Sequence, residues 1–211
     1  MKLIYVAELV QDFMERIEEI HQQHQNEVVI ETIQLQHTTE AKVSVLLKIL
    51  EGYKANYFGK GEIPALGKPF ERNLFNTFLC YIDPKSFFPF KLKLNSDIRG
   101  SFVECIKLNS GGQVSFSTTV PGITRGNHFH TRKAERFAVI KGNALIELRR
   151  IGTSEVLSFE LDGENPSFVD MPIWYTHNIT NTGSEELYTI FWINELFNPA
   201  DPDTYFEKVI S

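Results

Sequence analysis

The stretch GITRGNHFHTRKAERFAVIKG, residues 122–142, decides the fold of this chain. It places His128, His130 and Glu135 in the order H-x-H-x4-E between two glycines. Residues i and i+2 of a strand lie on the same face, so His128 and His130 are expected to point inward together. Glu135 is expected to follow them after a short turn.

A second stretch, PIWYTHNITN at residues 172–181, supplies a further histidine, His177. We expect this residue to arrive on a later strand and to meet the first three. Three imidazoles and a carboxylate form a ligand set for a divalent transition metal, and by themselves they suit zinc, iron, manganese or nickel. The sequence therefore predicts a metal site at these four residues.

The second half of the chain consists of short apolar segments between turns, which favours a sandwich or barrel. The turns are marked by glycine pairs and by Gly-Asn and Asp-Gly. The predicted strands are Ser101–Leu108, Gln113–Thr119, Phe137–Ile140, Ala144–Arg150, Glu155–Leu161, Ser167–Asp170 and Tyr188–Glu195.

The spacing G-x5-H-x-H-x4-E-x6-G followed by P-x-W-x2-H-x3-N resembles the paired motifs of the cupin superfamily. The resemblance implies a small double-sheet barrel, the double-stranded β-helix or jelly roll. One position departs from the pattern, because Trp174 stands where cupins usually have glycine. We expect its ring to narrow or floor the pocket.

The first part of the chain is predicted to be mostly helical. An apolar stripe from Val6 to Ile20 predicts one helix, and residues 43–52 and 71–81 predict two more. A strand is expected at 28–36, and Thr38-Thr39-Glu40 is expected to cap the second helix. The predicted fold class is α+β, with a helical segment at 1–95 and an all-β cupin barrel at 96–211.

Composition excludes several classes of protein. A net charge of −6 argues against nucleic acid and anionic membranes as partners, and no apolar run is long enough to cross a bilayer. No secretory leader is recognisable, so we expect a cytoplasmic protein. Cys80 and Cys105 are expected to be free, buried thiols, since they form no C-x-x-C pattern.

Four segments carry a more specific resemblance, to the C-terminal part of CapF-type capsular polysaccharide enzymes. They are DIRGSF at 97–102, residues 126–153, MPIWYTHNITNTG at 171–183 and IFWINELFNPADPDTYFEKV at 190–209. Those enzymes join a dinucleotide-dependent short-chain reductase to a metal-binding cupin, and residues 1–95 resemble the substrate-side end of the reductase. This sequence has no glycine-rich turn for a dinucleotide, so we expect it to lack the dinucleotide-binding half.

The resemblance implies that the cupin epimerises C3 of a UDP-4-keto-6-deoxy-N-acetylhexosamine. The C3 proton is α to a carbonyl, so its removal gives an enolate that a metal at the ketone would stabilise. The resemblance also implies zinc, held by His128, His130, Glu135 and His177. Four protein ligands are typical of structural zinc, however, so catalysis needs a fifth coordination position or a glutamate that dissociates from the metal.

Inversion at C3 requires an acid and a base on opposite faces of the sugar. Tyr175 and Lys133 are the candidates, with a barrel-wall aromatic and a solvated cation as the alternatives. A diphosphate needs a cation, and a guanidinium is suited to it. The candidates for that cation are Arg125, Arg132, Arg149 and Arg150.

Two other functions stay open from the sequence. One is a non-catalytic metal-binding cupin module for sugar binding or dimerisation, and the other is a cupin dioxygenase, which requires a redox-active metal. Phe191–Phe197 is apolar enough that we expect it to pack on the barrel or in a dimer interface. We expect a homodimer that acts on a UDP-sugar.

Overall fold

The computed structural model describes residues 1–23, 30, 32 and 34–210. It divides into two compact units. The first comprises Met1–Lys60 and Pro64–Ser86, and the second comprises Gly61–Ile63 and Phe87–Ser211. The boundary expected between residues 95 and 96 falls inside a strand of the second unit.

The first unit is helical apart from two short strands. Its elements are β1 (Lys2–Leu3), α1 (Val6–Gln23), β2 (Thr39–Glu40), α2 (Val43–Tyr53), a π-helical turn (Lys54–Phe58) and α3 (Pro69–Cys80). A last short helix, α4, covers Pro84–Phe87. Edge-to-face contacts of Phe75 with Tyr53 and Tyr57, at ring-centroid distances of 5.2 and 5.3 Å, join α2 and the π-turn to α3.

Three predicted helices are therefore present, but the cap predicted for α2 is wrong. Thr39 and Glu40 pair with β1, and α2 begins after Lys42, which makes no side-chain cap. The Thr38 hydroxyl donates to the Glu8 carboxylate at 2.6 Å instead. Pairing with β1, which is distant in sequence, therefore determines the conformation of Thr39 and Glu40, and they do not cap the helix.

The strand predicted at 28–36 falls largely outside the described residues, which omit 28, 29, 31 and 33. The described residues of that range are not in a strand.

The second unit is built from strands. They are β3 (Glu62–Ile63), β4 (Leu94–Asp97), β5 (Gly100–Leu108), β6 (Gln113–Thr119), β7 (Thr124–Phe129), β8 (Glu135–Lys141), β9 (Asn143–Arg150), β10 (Val156–Asp162), β11 (Ser167–Met171), β12 (Tyr175–Asn181), β13 (Leu187–Ile193) and β14 (Tyr205–Phe206). All seven strands predicted there are present, with ends that differ by one or two residues. The apolar stretch from Phe191 was expected to pack on the barrel or in a dimer interface. Phe191 packs against the apolar core from β13, whereas Trp192 is exposed.

The strands form two sheets. One has the order β10-β9-β12-β7-β14, and the other has the order β11-β8-β13-β6-β5-β3 with β4 paired to β5. All pairs are antiparallel except β3 with β5. Both sheets contribute to one apolar core that includes Val139, Ile146, Ile179 and Leu187. This two-layer arrangement is the one expected of a jelly roll.

Gly126 allows β7 and β12 to approach closely. Its φ is +103°, and a Cβ at this position would lie 2.7 Å from the carbonyl oxygen of His177. A register shift in the β7–β12 ladder occurs between His177 and Asn178. The glycine two residues before His128 therefore brings the strand of His177 within reach.

Trp174 does not narrow the pocket, contrary to expectation. It has a φ of +64°, which explains why glycine is the usual residue here. Its side chain is 49% exposed and stacks on Phe129, with ring centroids 5.9 Å apart. The backbone N–H of Trp174 donates to the carbonyl of His130 at 2.8 Å. The residue thus holds a turn, and its ring lies outside the barrel.

Two other expectations can be checked directly. Cys80 and Cys105 are free, as predicted, but both are exposed and not buried. Among the described helices, none combines the length and the apolar character that a membrane span requires.

Candidate metal centre

The two sheets bring the four predicted ligands together. His128 lies on β7 directly opposite His177 on β12, within one sheet. His130 follows the end of β7, and Glu135 opens β8 in the other sheet. One ligand atom from each of the four residues lies within 4.8 Å of every other. The cluster therefore joins the two layers of the barrel.

The carboxylate of Glu135 faces two of the imidazoles. Its Oε2 lies 3.0 Å from Nε2 of His177 and 3.3 Å from Nε2 of His130. These three atoms are buried, and none of them has a hydrogen-bond partner. Buried polar atoms are nearly always satisfied, so three that converge without partners form a cradle for a cation.

Backbone carbonyls orient the rings. Nδ1 of His130 is bonded to the carbonyl of Asp203, and Nδ1 of His177 lies 3.3 Å from the carbonyl of Tyr175. A carbonyl can only accept, so Nδ1 carries the hydrogen in both rings. Nε2 is therefore the atom of each ring that would bind a metal once its proton is lost, which is the arrangement that outer partners impose on metal-binding histidines.

The charges of the cluster suit a cation. Burial, and then the charge of His177, lowers the pKa of His128 to about 4, so this ring is neutral at pH 7. Burial opposes ionisation of Glu135, but the neighbouring His130 and His177 outweigh it and hold the pKa of the carboxyl well below its ordinary range. Burial disfavours the charged form of His130, but Glu135 and Asp203 outweigh it and raise the pKa of that ring, so a metal would take the place of its proton.

A cavity of about 700 Å³ opens beside the cluster. His128, His130 and Glu135 line it, whereas His177 is completely buried behind them. The other walls carry aromatic rings, small hydroxyls and several cations. A volume of this size accommodates a ligand of the dimensions of a sugar nucleotide.

The two acid–base candidates lie in different surroundings. Lys133 lines the cavity and is 2% exposed, so it is not the solvated loop cation of the alternative interpretation. Its Nζ donates to the carbonyl of Pro202 at 2.6 Å and lies 3.6 Å from Glu195. Tyr175 packs against the apolar core and does not line the cavity. The residue of β12 that does line the cavity is Ile179. The structure therefore does not bring Tyr175 to the site.

The four candidate arginines differ in their partners and in whether they line the cavity. Arg132 pairs with Glu195 and Asp201, and Arg150 is exposed. Arg149 is 9% exposed, and its guanidinium donates to the carbonyls of Lys208 and Val209 at 2.7 and 2.8 Å. It fastens the C-terminal residues and is not free for a diphosphate. Arg125 alone among the four lines the cavity.

Asp203 belongs to no motif that the sequence analysis singled out for the site. Its carboxylate accepts from the backbone N–H groups of Thr131, Arg132 and Lys133 at 3.0–3.2 Å, and from the Thr131 hydroxyl at 2.5 Å. Its carbonyl meets His130. Asp203 thus holds the turn between two ligands, although it lies some 70 residues away in sequence. Only its position after Pro202, in a turn-like segment, hinted at a structural role.

The chain is similar to known proteins of polysaccharide synthesis. The family model described as "Polysaccharide biosynthesis C-terminal domain" matches residues 95–205. The UDP-2-acetamido-2,6-beta-L-arabino-hexul-4-ose reductase of Pseudomonas aeruginosa is 39% identical over 140 residues, which cover 66% of this chain and 37% of that protein.

Crystal structures of the capsular polysaccharide assembling protein CapF from Staphylococcus aureus are also similar. One matches 77% of this chain and 44% of its own at 40% identity, with a TM-score of 0.69. Another matches 99% of this chain and 59% of its own at 34% identity, with a TM-score of 0.80. The chain thus spans less than two thirds of the length of each of these relatives.

These matches confirm the resemblance to CapF-type enzymes that the motifs indicated. The family match covers the strands that carry the histidines and the glutamate, together with Asp203. The chain belongs to the polysaccharide biosynthesis C-terminal domain family.

Proposed function

We propose that this chain is a metal-dependent sugar-nucleotide epimerase that inverts C3 of a UDP-4-keto-6-deoxy-N-acetylhexosamine during synthesis of a polysaccharide precursor. In this proposal residues 1–95 correspond to the substrate-side end of a short-chain reductase. The observation that carries the proposal is the convergence of His128, His130, Glu135 and His177 beside a cavity large enough for such a substrate.

The relatives support the substrate class. The name of the Pseudomonas protein describes a UDP-linked 2-acetamido sugar, and that of the Staphylococcus protein describes capsular polysaccharide assembly. Because this chain spans only part of each, the reaction is proposed for it on the chemistry of its own site.

The four ligands would hold a divalent metal, for which we propose zinc. Bound there, the metal supplies a Lewis acid for the keto oxygen. His130 and His177 keep their Nε2 atoms aimed at the centre through the backbone carbonyls of Asp203 and Tyr175. The apolar rings of Phe137 and Phe191 line the cavity and limit water around the reacting carbon.

The proton of C3 needs an acceptor and a donor within the cavity. Lys133 is the acid–base candidate that lines it, so we propose that its neutral amine receives this proton or that its ammonium group delivers it. Tyr175, the other candidate, would have to leave the core to take part. Nothing in its present contacts supports that movement.

The test is hydrogen exchange at C3. The protein is incubated with a UDP-4-keto-6-deoxy-N-acetylhexosamine in D2O, and the C3 proton is followed by NMR with and without a chelator. We expect loss of the proton signal that stops when the metal is removed. Metal analysis of the same sample identifies the ion, and a redox-inactive metal would exclude the dioxygenase alternative.

Matched variants assign the activity to the site. His177→Gln removes a proposed ligand and is expected to lower both metal content and exchange. His37→Gln is the control, because His37 lies in the first unit, 3.2 Å from Glu40. Unchanged exchange in a metal-free His177→Gln protein would contradict the proposal.

A second function is favoured by the closed ligand set. Four protein ligands with one completely buried histidine are typical of structural zinc. In that case the chain is a non-catalytic metal-binding module for sugar binding or dimerisation. Retained metal in a folded protein, without exchange at C3, would support this alternative.

A further inference from the structure

We propose that Arg125, with Arg99 and Lys93 beside it, forms a subsite for the diphosphate of a sugar nucleotide. This inference rests on the proposed function, because it assigns the part of the substrate away from the reacting carbon. The cavity that contains the metal ligands is also lined by these three cations. The subsite therefore lies in the same cavity as the metal centre.

Arg125 is a partly buried cation that makes no ion pair with a described carboxylate. Its Nη1 donates to the carbonyls of Thr118 at 3.0 Å and Ser101 at 3.4 Å, which fixes the guanidinium between the two sheets. Within the described part of the chain, no carboxylate lies within ion-pairing distance of it. Burial, and then the positive charge of Arg99, lowers the pKa of Arg125, and together they outweigh the opposing charge of Asp97. A desolvated cation of this kind is stabilised by an anion.

The hydrogen bonds of Arg125 leave two nitrogens of its guanidinium group available. Both hydrogen bonds use Nη1, so Nε and Nη2 are not occupied by protein acceptors among the described residues. Two parallel N–H groups match two oxygens of a phosphate, which is how arginine binds such groups. Arg125 can therefore hold the phosphate while its Nη1 keeps it anchored.

The D-x-R-G segment at 97–100 places the second cation. The carboxylate of Asp97 accepts from Nε of Arg99 at 3.0 Å and from Nη2 at 2.5 Å, which orients the guanidinium. Gly100 follows with a φ of +134°, and a Cβ there would lie 2.1 Å from the carbonyl oxygen of Thr118. That carbonyl is the one that Arg125 binds. A single short motif therefore positions both arginines.

The acidic residues of the cavity do not cancel these charges. Glu104 is paired with Lys107 at 2.7 Å and accepts from Gln113 at 3.3 Å. Glu135 belongs to the metal cluster. The cations at Arg125 and Lys93 can therefore bind an anion. In this proposal the metal site binds the neutral, reacting end of the same ligand.

The experiment measures binding of UDP and of inorganic pyrophosphate to the metal-loaded protein by calorimetry. Arg125→Gln is expected to weaken UDP binding about tenfold or more, the usual effect of removing a charge-assisted pair. Arg150→Gln is the control, because Arg150 is exposed and outside the cavity. We expect its affinity to equal that of the wild type.

A second variant, Lys93→Gln, tests the subsite independently of Arg125. Lys93 is exposed, so Lys93→Gln leaves the fold intact, and it is expected to weaken UDP binding severalfold. A diphosphate can also bind a metal directly, and that mode would survive in Arg125→Gln. Equal affinity of Arg125→Gln and wild type, or no binding of UDP to the wild type, would overturn the proposal.

Binding also separates this inference from the proposed reaction. Tight UDP binding that depends on Arg125, without exchange at C3, would uphold the subsite and reject the epimerase. Exchange at C3 with an unchanged KM in Arg125→Gln would support the epimerase and reject the subsite.

Discussion

At the scale of single residues, the metal centre depends on side chains that do not touch the metal. Asp203 orients His130 through its carbonyl and the following turn through its carboxylate. Histidine orientation of this kind typically contributes 10–100-fold to metal affinity.

We predict that Asp203→Asn lowers metal affinity about tenfold, because the amide cannot accept all of the N–H groups that the carboxylate holds. Competition with a chelator measures this. Asp201→Asn is the control, since Asp201 is an exposed partner of Arg132. Equal affinities of the two variants would contradict the assigned role.

The same substitution changes the pH dependence of stability. Burial opposes the charge of Asp203, but the Thr131 hydroxyl and the N–H groups of Arg132 and its neighbours outweigh it, so its pKa is lowered. A lowered pKa gives stability that is present above about pH 3.9 and is lost as the pH falls below it. We expect the difference in melting temperature between wild type and Asp203→Asn to shrink below pH 4.

Lys133 gives a second prediction at this scale. Because it lines the cavity, Lys133→Gln is expected to slow C3 exchange by a factor of about 10² or more, the usual contribution of general acid–base catalysis. Lys141→Gln removes an exposed cation from the same strand region and serves as the control. If Lys133→Gln lowers only the melting temperature and leaves exchange unchanged, Lys133 is an anchor for the C-terminal residues.

At the scale of elements, the position of the histidines depends on how closely β7 and β12 approach. Gly126→Ala would place a Cβ 2.7 Å from the His177 carbonyl, at a φ of +103°. We predict a loss of stability of about 1–3 kcal/mol and a lower metal content, because the strands must separate. Thermal unfolding and metal analysis of the purified variant measure both.

Gly59→Ala is the matched control. Gly59 has a φ of −79° in helical conformation, and a Cβ there would meet nothing within 4 Å. Its stability is expected to be unchanged or slightly raised. A similar loss of stability in both variants would show that the spacing of β7 and β12 does not limit the site.

The sequence predicted the elements of the barrel better than the residues that complete it. The motif residues His128, His130, Glu135 and His177 meet as expected, since strand alternation and register bring them together. Trp174 was misjudged, because its positive φ turns the ring outward and no sequence pattern shows that. Asp203 was missed because its partners are far away in sequence.

At the scale of the whole molecule, an apolar face remains on the seven-stranded side of the barrel. Ile190 and Trp192 point outward from β13 and are 37% and 38% exposed. The ladder sets Ile190 beside Ala138 and Phe116, and Phe168 beside Ala138. Contiguous apolar surface of this kind is typical of interfaces between subunits.

The homodimer expected from the sequence is predicted to use this face. Ile190→Glu should then give a monomer, because a charge would be buried against a second copy. Ile98→Glu is the control, since Ile98 is 93% exposed in a turn. Light scattering at micromolar concentration measures the mass. A monomeric wild type, or a dimer that persists in Ile190→Glu, would contradict the prediction.

The contact between Asp203 and the turn after His130 has a consequence for biosynthesis. A ribosome makes the chain from its amino end, so all four ligands emerge before the aspartate that holds His130 and the following turn in place. A nascent chain halted before Pro202 carries every ligand but cannot lock the turn. Such a product is expected to lose its metal on dialysis, whereas the finished chain retains it. Metal retention would then distinguish completed molecules from products of interrupted translation.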